Sequence, residues 1–136
     1  MQSIVEWKSG LAFTAHQGAH DIPLDAPVAS GGQDSGASPK GLLLSGLGGC
    51  TGIDVVSILE KMRVPLEGLA VEASAEQTED HPKVFKAIHM RYRFRGRDLP
   101  MDKLERAVTL SMERYCGVSA MLAKAAPITW EIVIEP

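Results

Sequence analysis

The stretch from Ser38 to Pro65 limits what this chain can fold into more than any other. It opens with Ser38-Pro39, a helix-capping residue followed by proline at the first helical position, and it must stop before Pro65, so the spacing predicts a helix running to about Arg63. Apolar residues from Leu42 to Leu59 fall on nearly every side of that helix. A helix that is apolar all round is normally buried rather than laid on a surface, so this one is predicted to be central. Gly46, Gly48, Gly49 and Gly52 surround Cys50, although each glycine inside a helix costs about 1 kcal/mol relative to alanine. Two readings of these glycines stay open. They let another backbone approach closely, or they break the helix and leave Cys50 beside the free N–H groups of a new first turn.

The rest of the chain supplies what could cover such a helix. Ser3 to Asp25 alternates weakly, with turn signals at Ser9-Gly10 and Gln17-Gly18, and is read as a meander of two or three short strands. Pro27 to Ser38 has the glycine, serine and aspartate content of a loop. Leu66 to Thr78 and Lys83 to Phe94 alternate on either side of a polar turn and are predicted to pair as a β-hairpin. Pro100 opens a second helix through Arg114, Cys116-Gly117 interrupts it, and Val118 to Ala125 forms a short third one. Ile128, Trp130, Ile132 and Ile134 mark a last strand with one buried face. The reading is therefore an α+β fold in a single domain, residues 1–136. A helix apolar on all sides exceeds what one sheet can cover, and a homodimer would supply the missing cover.

Composition narrows the function. Hydrophobic residues make up 45% and charged residues 23% of the 136, with a formal charge of −3 spread along the chain. Such an interspersed, slightly acidic balance argues against a nucleic-acid partner. Residues 1–10 lack a basic segment followed by an apolar run, and the apolar stretch around Leu42 to Leu59 is interrupted by Asp54, Ser45, Thr51, Ser57 and the glycines. Neither a signal peptide nor a membrane span is expected. A cytoplasmic location follows as the expectation, and there two cysteines are more readily a transient redox pair than a lasting disulfide.

Cys50 and Cys116 stand 66 positions apart on different predicted helices, so only tertiary folding can bring them together. The plain alternative is that each is an inert, buried, small hydrophobe. Glycine beside each one, at predicted helix interruptions, favours reactive thiols near exposed N–H groups. No Cys-x-x-Cys is present, and His16, His20, His81 and His89 are not spaced as a helical ligand pair, so no metal and no other cofactor is expected. A cysteine hydrolase would need a histidine base, and none is local to either thiol, although distance in sequence leaves that open. Asp54, four residues after Cys50 on the same helical face, would oppose a thiolate. A nearer cation is then required, with Lys40 and Arg114 as the candidates for that supporting charge. Lys124 is read as an ordinary solvated lysine.

Ser38-Pro39 with Leu42-Leu43-Leu44, then Gly48-Gly49-Cys50-Thr51-Gly52-Ile53-Asp54-Val55-Val56, and later Tyr115-Cys116-Gly117-Val118-Ser119, together resemble the OsmC/Ohr family over most of the chain. The resemblance implies an intertwined homodimer with two equivalent sites, each built round the two cysteines. It implies reduction of organic hydroperoxides: Cys50 as thiolate becomes a sulfenic acid, Cys116 condenses with it to a disulfide, and a dithiol reductant resets the pair. Apolar surroundings for Cys50 suit an organic peroxide, whose alkyl chain gains from burial. The chain departs from the peroxidase members at two places. They carry a glutamate directly after the helix-opening proline, where this chain has Lys40. They also carry an arginine in the N-terminal half, whereas no arginine precedes Arg63 here. The pattern is that of a divergent branch, for which a dimer binding a small apolar or lipid-like ligand is the alternative function.

Overall fold

A computed structural model describes all residues, 1–136. Length alone argues for one folding unit. Contacts group the residues into two compact units, Met1–Leu43 and Leu44–Pro136.

In the first unit, β1 (Ile4–Ser9), β2 (Ala12–Gln17) and β3 (His20–Leu24) form an antiparallel sheet in the order β1-β2-β3. Gly10 and Gly18 take left-handed φ values of 55° and 59° at the two hairpin turns, which residues with a Cβ rarely adopt. The loop that follows folds around one carboxylate. Asp25 is buried and accepts the backbone N–H groups of Ala26, Gln33 and Ser35 at 2.7, 3.2 and 3.1 Å, and the Ser35 hydroxyl at 2.7 Å. The Ser35 hydroxyl and N–H are the main causes that hold the Asp25 carboxyl below its ordinary value.

In the second unit, β4 (Gly68–Gln77), β5 (Phe85–Arg95) and β6 (Ile128–Glu135) form a sheet in the order β4-β5-β6, with β4-β5 antiparallel and β5-β6 parallel. A parallel partner demands a crossover. Here α2 (Met101–Leu110), a five-residue π-helical turn (Ser111–Tyr115) and α3 (Gly117–Leu122) provide it. Alternation along β5 buries Ile88, Met90, Tyr92 and Phe94 on one face. The other face carries Arg91 and Arg93, paired with Glu131 at 3.1 Å and with Glu72 and Glu135 at 2.9 Å.

Helix α1 (Pro39–Lys61) begins in the first unit and continues into the second without interruption. The predicted break at Cys50 is therefore absent, and the thiol lies on the body of the helix. The other reading of the glycines fits two of the four. A Cβ on Gly48 would lie 3.6 Å from the Val71 carbonyl oxygen, and one on Gly52 would lie 3.7 Å from a Val71 methyl. Close seating of the helix on β4 accounts for these two. Around Gly46 and Gly49 a Cβ would meet nothing within 4 Å. Nor is the helix buried on all sides within the chain. Leu47, Thr51, Val55 and Leu59, spaced by four, form its buried stripe, whereas Ile53 is 74% exposed and Val56 47%. One sheet covers one face, as its geometry requires. By length and composition alone α1 could cross a membrane; the fold uses its buried stripe as core, packed with β5 and α2 side chains.

Candidate functional site

The two thiols meet although their elements are far apart in sequence. Cys116 is buried and Cys50 half-buried, both as free cysteines. Cys116 sits where the π-helical turn hands over to α3. Its N–H donates to the Ser111 carbonyl at 2.7 Å, the wide i−5 bond of such a turn, and its Sγ accepts the Ser119 N–H at 3.3 Å as the cap of α3. Burial pushes the Cys116 thiol up. The N–H and side chain of Ser119 pull it back, and Cys50, by hydrogen bond and by charge, adds to the rise. A hydrogen bond that favours protonated Cys116 makes its S–H the donor and the Cys50 sulfur the acceptor. The pair is thus asymmetric: one sulfur keeps the proton and the other, more exposed, receives it.

A file of hydroxyls runs beside the thiols. The Tyr92 hydroxyl on β5 lies 2.8 Å from Thr51 Oγ1 on α1, Thr51 Oγ1 lies 2.7 Å from Ser111 Oγ, and Ser111 Oγ donates to Asp54 Oδ2 at 2.9 Å. Tyr92, Thr51 and Ser111 are each fully buried. Thr51 directly follows Cys50, and Ser111 holds the N–H of Cys116, so both cysteines adjoin the file. Burial pushes the Tyr92 phenol up to about 12; the bond to Thr51 opposes this, and the charges of Cys116 and Asp54 add to it. Sheet packing fixes the ring, with Trp130 edge-on and Phe94 near parallel, both at 6.4 Å.

Comparison with known proteins places this arrangement. The family model described as OsmC-like protein matches residues 32–131, most of the chain and both cysteines. The chain belongs to the OsmC family. Protein YhfA of Escherichia coli K12 is similar at 40% identity over 136 residues, covering 98% of each chain. Among solved structures, a hypothetical protein from Aquifex aeolicus VF5 is 31% identical with a TM-score of 0.83, covering 99% of this chain and 97% of that one. An organic hydroperoxide resistance protein of Bacillus subtilis shares the fold alone, with 19% identity, a TM-score of 0.70 and 97% and 98% coverage. The expected α+β fold and the expected divergent, YhfA-like branch of the OsmC/Ohr family are both found.

Within this OsmC-family chain, the two cysteines expected at the site come together, and the two supporting cations stand elsewhere. The Arg114 guanidinium lies over the ring of Tyr115, 5.9 Å from its centre. Lys40 occupies the first turn of α1, ten positions before Cys50. Neither is among the groups acting on Cys116. Asp54, expected to oppose a thiolate, turns its Oδ2 to Ser111. Tyr92, Thr51 and Ser111 were not singled out by sequence. A signal existed in Thr51, a hydroxyl in the buried i, i+4 stripe of Leu47, Val55 and Leu59, where a polar group must find a partner.

Proposed function

We propose that this OsmC protein reduces organic hydroperoxides with Cys50 and Cys116 as its catalytic residues. The Cys50 thiolate attacks the terminal oxygen of the hydroperoxide. The O–O bond breaks, the alkoxide leaves as an alcohol after taking a proton, and Cys50 becomes a sulfenic acid. Cys116 then attacks the Cys50 sulfur, its proton joins the departing hydroxide, and a disulfide and water result. A dithiol reductant returns both thiols. The observation that carries the reading is the meeting of two free thiols from distant segments, with the buried one donating to the more exposed one.

The same reading has a homodimer in the cytoplasm, where thiols are kept reduced. Support for a second copy comes from the uncovered face of α1, where Gly46 and Gly49 leave open space beside exposed Ile53 and Val56. Lys40 is the proposed source of positive charge for Cys50, with Arg114 as the second candidate. Lys40→Ala should raise the Cys50 pKa, read by thiolate absorbance, and an unchanged value would remove Lys40 from the site. The second reading, a dimer that binds a small apolar ligand with Cys50 as a passive lining residue, draws on the place of Arg114 over Tyr115 rather than at the sulfurs.

The deciding experiment is consumption of cumene hydroperoxide by the reduced protein with a dithiol. Cys50→Ser should abolish turnover, and Cys116→Ser should accumulate a Cys50 sulfenic acid detectable by dimedone labelling. Absence of turnover in the unsubstituted protein would move the weight to ligand binding.

A further inference from the structure

The hydroxyl file beside the thiols has a property that simple packing does not require: its protons are in single file. A carboxylate only accepts, so the Ser111 proton is committed to Asp54. Each hydroxyl has one proton. Ser111 Oγ must then accept from Thr51, and Thr51 Oγ1 must accept from Tyr92. With Asp54 as carboxylate every O–H points outward, toward the Asp54 end. When Asp54 takes up a proton, the whole file can reverse and point toward Tyr92.

The outer end meets solvent while the inner end does not. Asp54 lines an open cleft with Ser57, Lys61, Leu110 and Tyr115, whereas Tyr92, Thr51 and Ser111 have no exposed surface. The titratable groups around the file are Cys50 and Asp54 on α1, Tyr92 on β5, Cys116 at the π-helical turn, and Lys61 and Tyr115 at the cleft. Buried Cys116 has no proton source of its own in solvent, since only 3% of it is exposed.

We propose that Tyr92, Thr51, Ser111 and Asp54 form a proton relay that recharges Cys116 when the Cys50–Cys116 disulfide is reduced, an inference resting on the redox reading of the thiol pair. The step balances as follows. One thiolate of the dithiol attacks the Cys50 sulfur, the S–S bond breaks, and its electron pair stays on Cys116. Tyr92 passes its proton to that thiolate, Thr51 reprotonates Tyr92, Ser111 reprotonates Thr51, and protonated Asp54 reprotonates Ser111. Asp54 is left as the carboxylate and takes its next proton from the cleft. The second thiol of the reductant then displaces Cys50, the reductant leaves as a cyclic disulfide, and Cys50 is released as thiolate. Tyr92, Thr51, Ser111 and Asp54 are positioning and proton-carrying residues, and neither sulfur is replaced by them.

The test uses the full-length protein oxidised with diamide, so that the disulfide is made without a hydroperoxide, followed by rapid reduction with dithiothreitol. In the unsubstituted protein the reduction should show a solvent deuterium isotope effect and a rate that falls with the protonated fraction of Asp54. Tyr92→Phe and Thr51→Val should slow it on the order of tenfold, below the ~100-fold that a positioned proton donor can contribute, because water substitutes in part. Both should also lose the isotope effect. Thr51→Ser, which keeps the hydroxyl, should restore both rate and isotope effect, and this separates proton transfer from packing. Unchanged rate, pH profile and isotope effect in Tyr92→Phe and Thr51→Val would overturn the relay and leave the redox reading in place. If diamide fails to couple the two thiols in the unsubstituted protein, both fall. Absence of hydroperoxide turnover alone would count only against the peroxidase reading.

Discussion

At the scale of single residues, the buried phenol of Tyr92 and the buried thiol of Cys116 are both groups whose proton the fold retains. The phenol moves from 10.0 to about 12, chiefly by burial, and the thiol rises from 9.0 for the same first cause. In each case the native chain keeps a proton that the unfolded chain sheds, so stability falls as pH rises. The contribution of Tyr92 is complete below pH 10.0 and disappears as pH approaches about 12. Tyr92→Phe should therefore flatten the alkaline limb of the stability curve in urea titrations across that range. At neutral pH it should cost about 1–2 kcal/mol, because Thr51 loses its buried partner. A steeper alkaline limb in the phenylalanine variant would contradict the assignment. Asp25 works in the opposite sense. Its carboxyl lies below 3.8 in the fold, so its contribution is present above that value and is lost as pH falls through the lowered one. Asp25→Asn should remove this acid limb and loosen the loop of residues 26–36, which amide hydrogen exchange would show.

At the scale of elements, α1 makes the clearest demands. Alanine at Gly49 meets open space within the chain, and the substitution should raise helix stability by about 0.5–1 kcal/mol if nothing covers that face. If a second copy packs there, Gly49→Ala should instead weaken association, so sedimentation and thermal melting would move in opposite directions. Gly36→Ala has no such choice, because its Cβ would lie 2.5 Å from the Pro23 carbonyl carbon, which is backbone and cannot swing away. It should destabilise the first unit. Most of this architecture was legible in sequence for a physical reason. Proline and glycine punctuate α1, the β1-β2 and β2-β3 turns and the Cys116 junction, and period-two burial marks β5 and β6. Three things were not. The break expected at Cys50 rested on glycine propensity, which the seating of Gly48 and Gly52 on Val71 overrides. The π-helical turn before Cys116 depends on one wide hydrogen bond, from the Cys116 N–H to Ser111, that no local spacing announces. The hydroxyl file joins α1, β5 and the crossover, so its members share no stretch of sequence.

At the scale of the whole molecule, the uncovered apolar side of α1 makes association and stability one question. If two copies close over it, the melting temperature should rise with protein concentration, and Ile53→Glu, at a position 74% exposed in one chain, should yield a monomer by light scattering. A monomer at all concentrations in the unsubstituted protein would remove the proposed homodimer. The meeting of Cys50 and Cys116 has a further consequence for a chain with no other cysteines. Their bond would close a loop of 66 residues, tying α1 to the crossover between β5 and β6. Closing a loop of that size restricts the unfolded chain by about 4 kcal/mol, worth on the order of ten degrees in melting temperature. The oxidised protein would then be the heat-resistant form, and a melting curve alone would report the redox state of a sample.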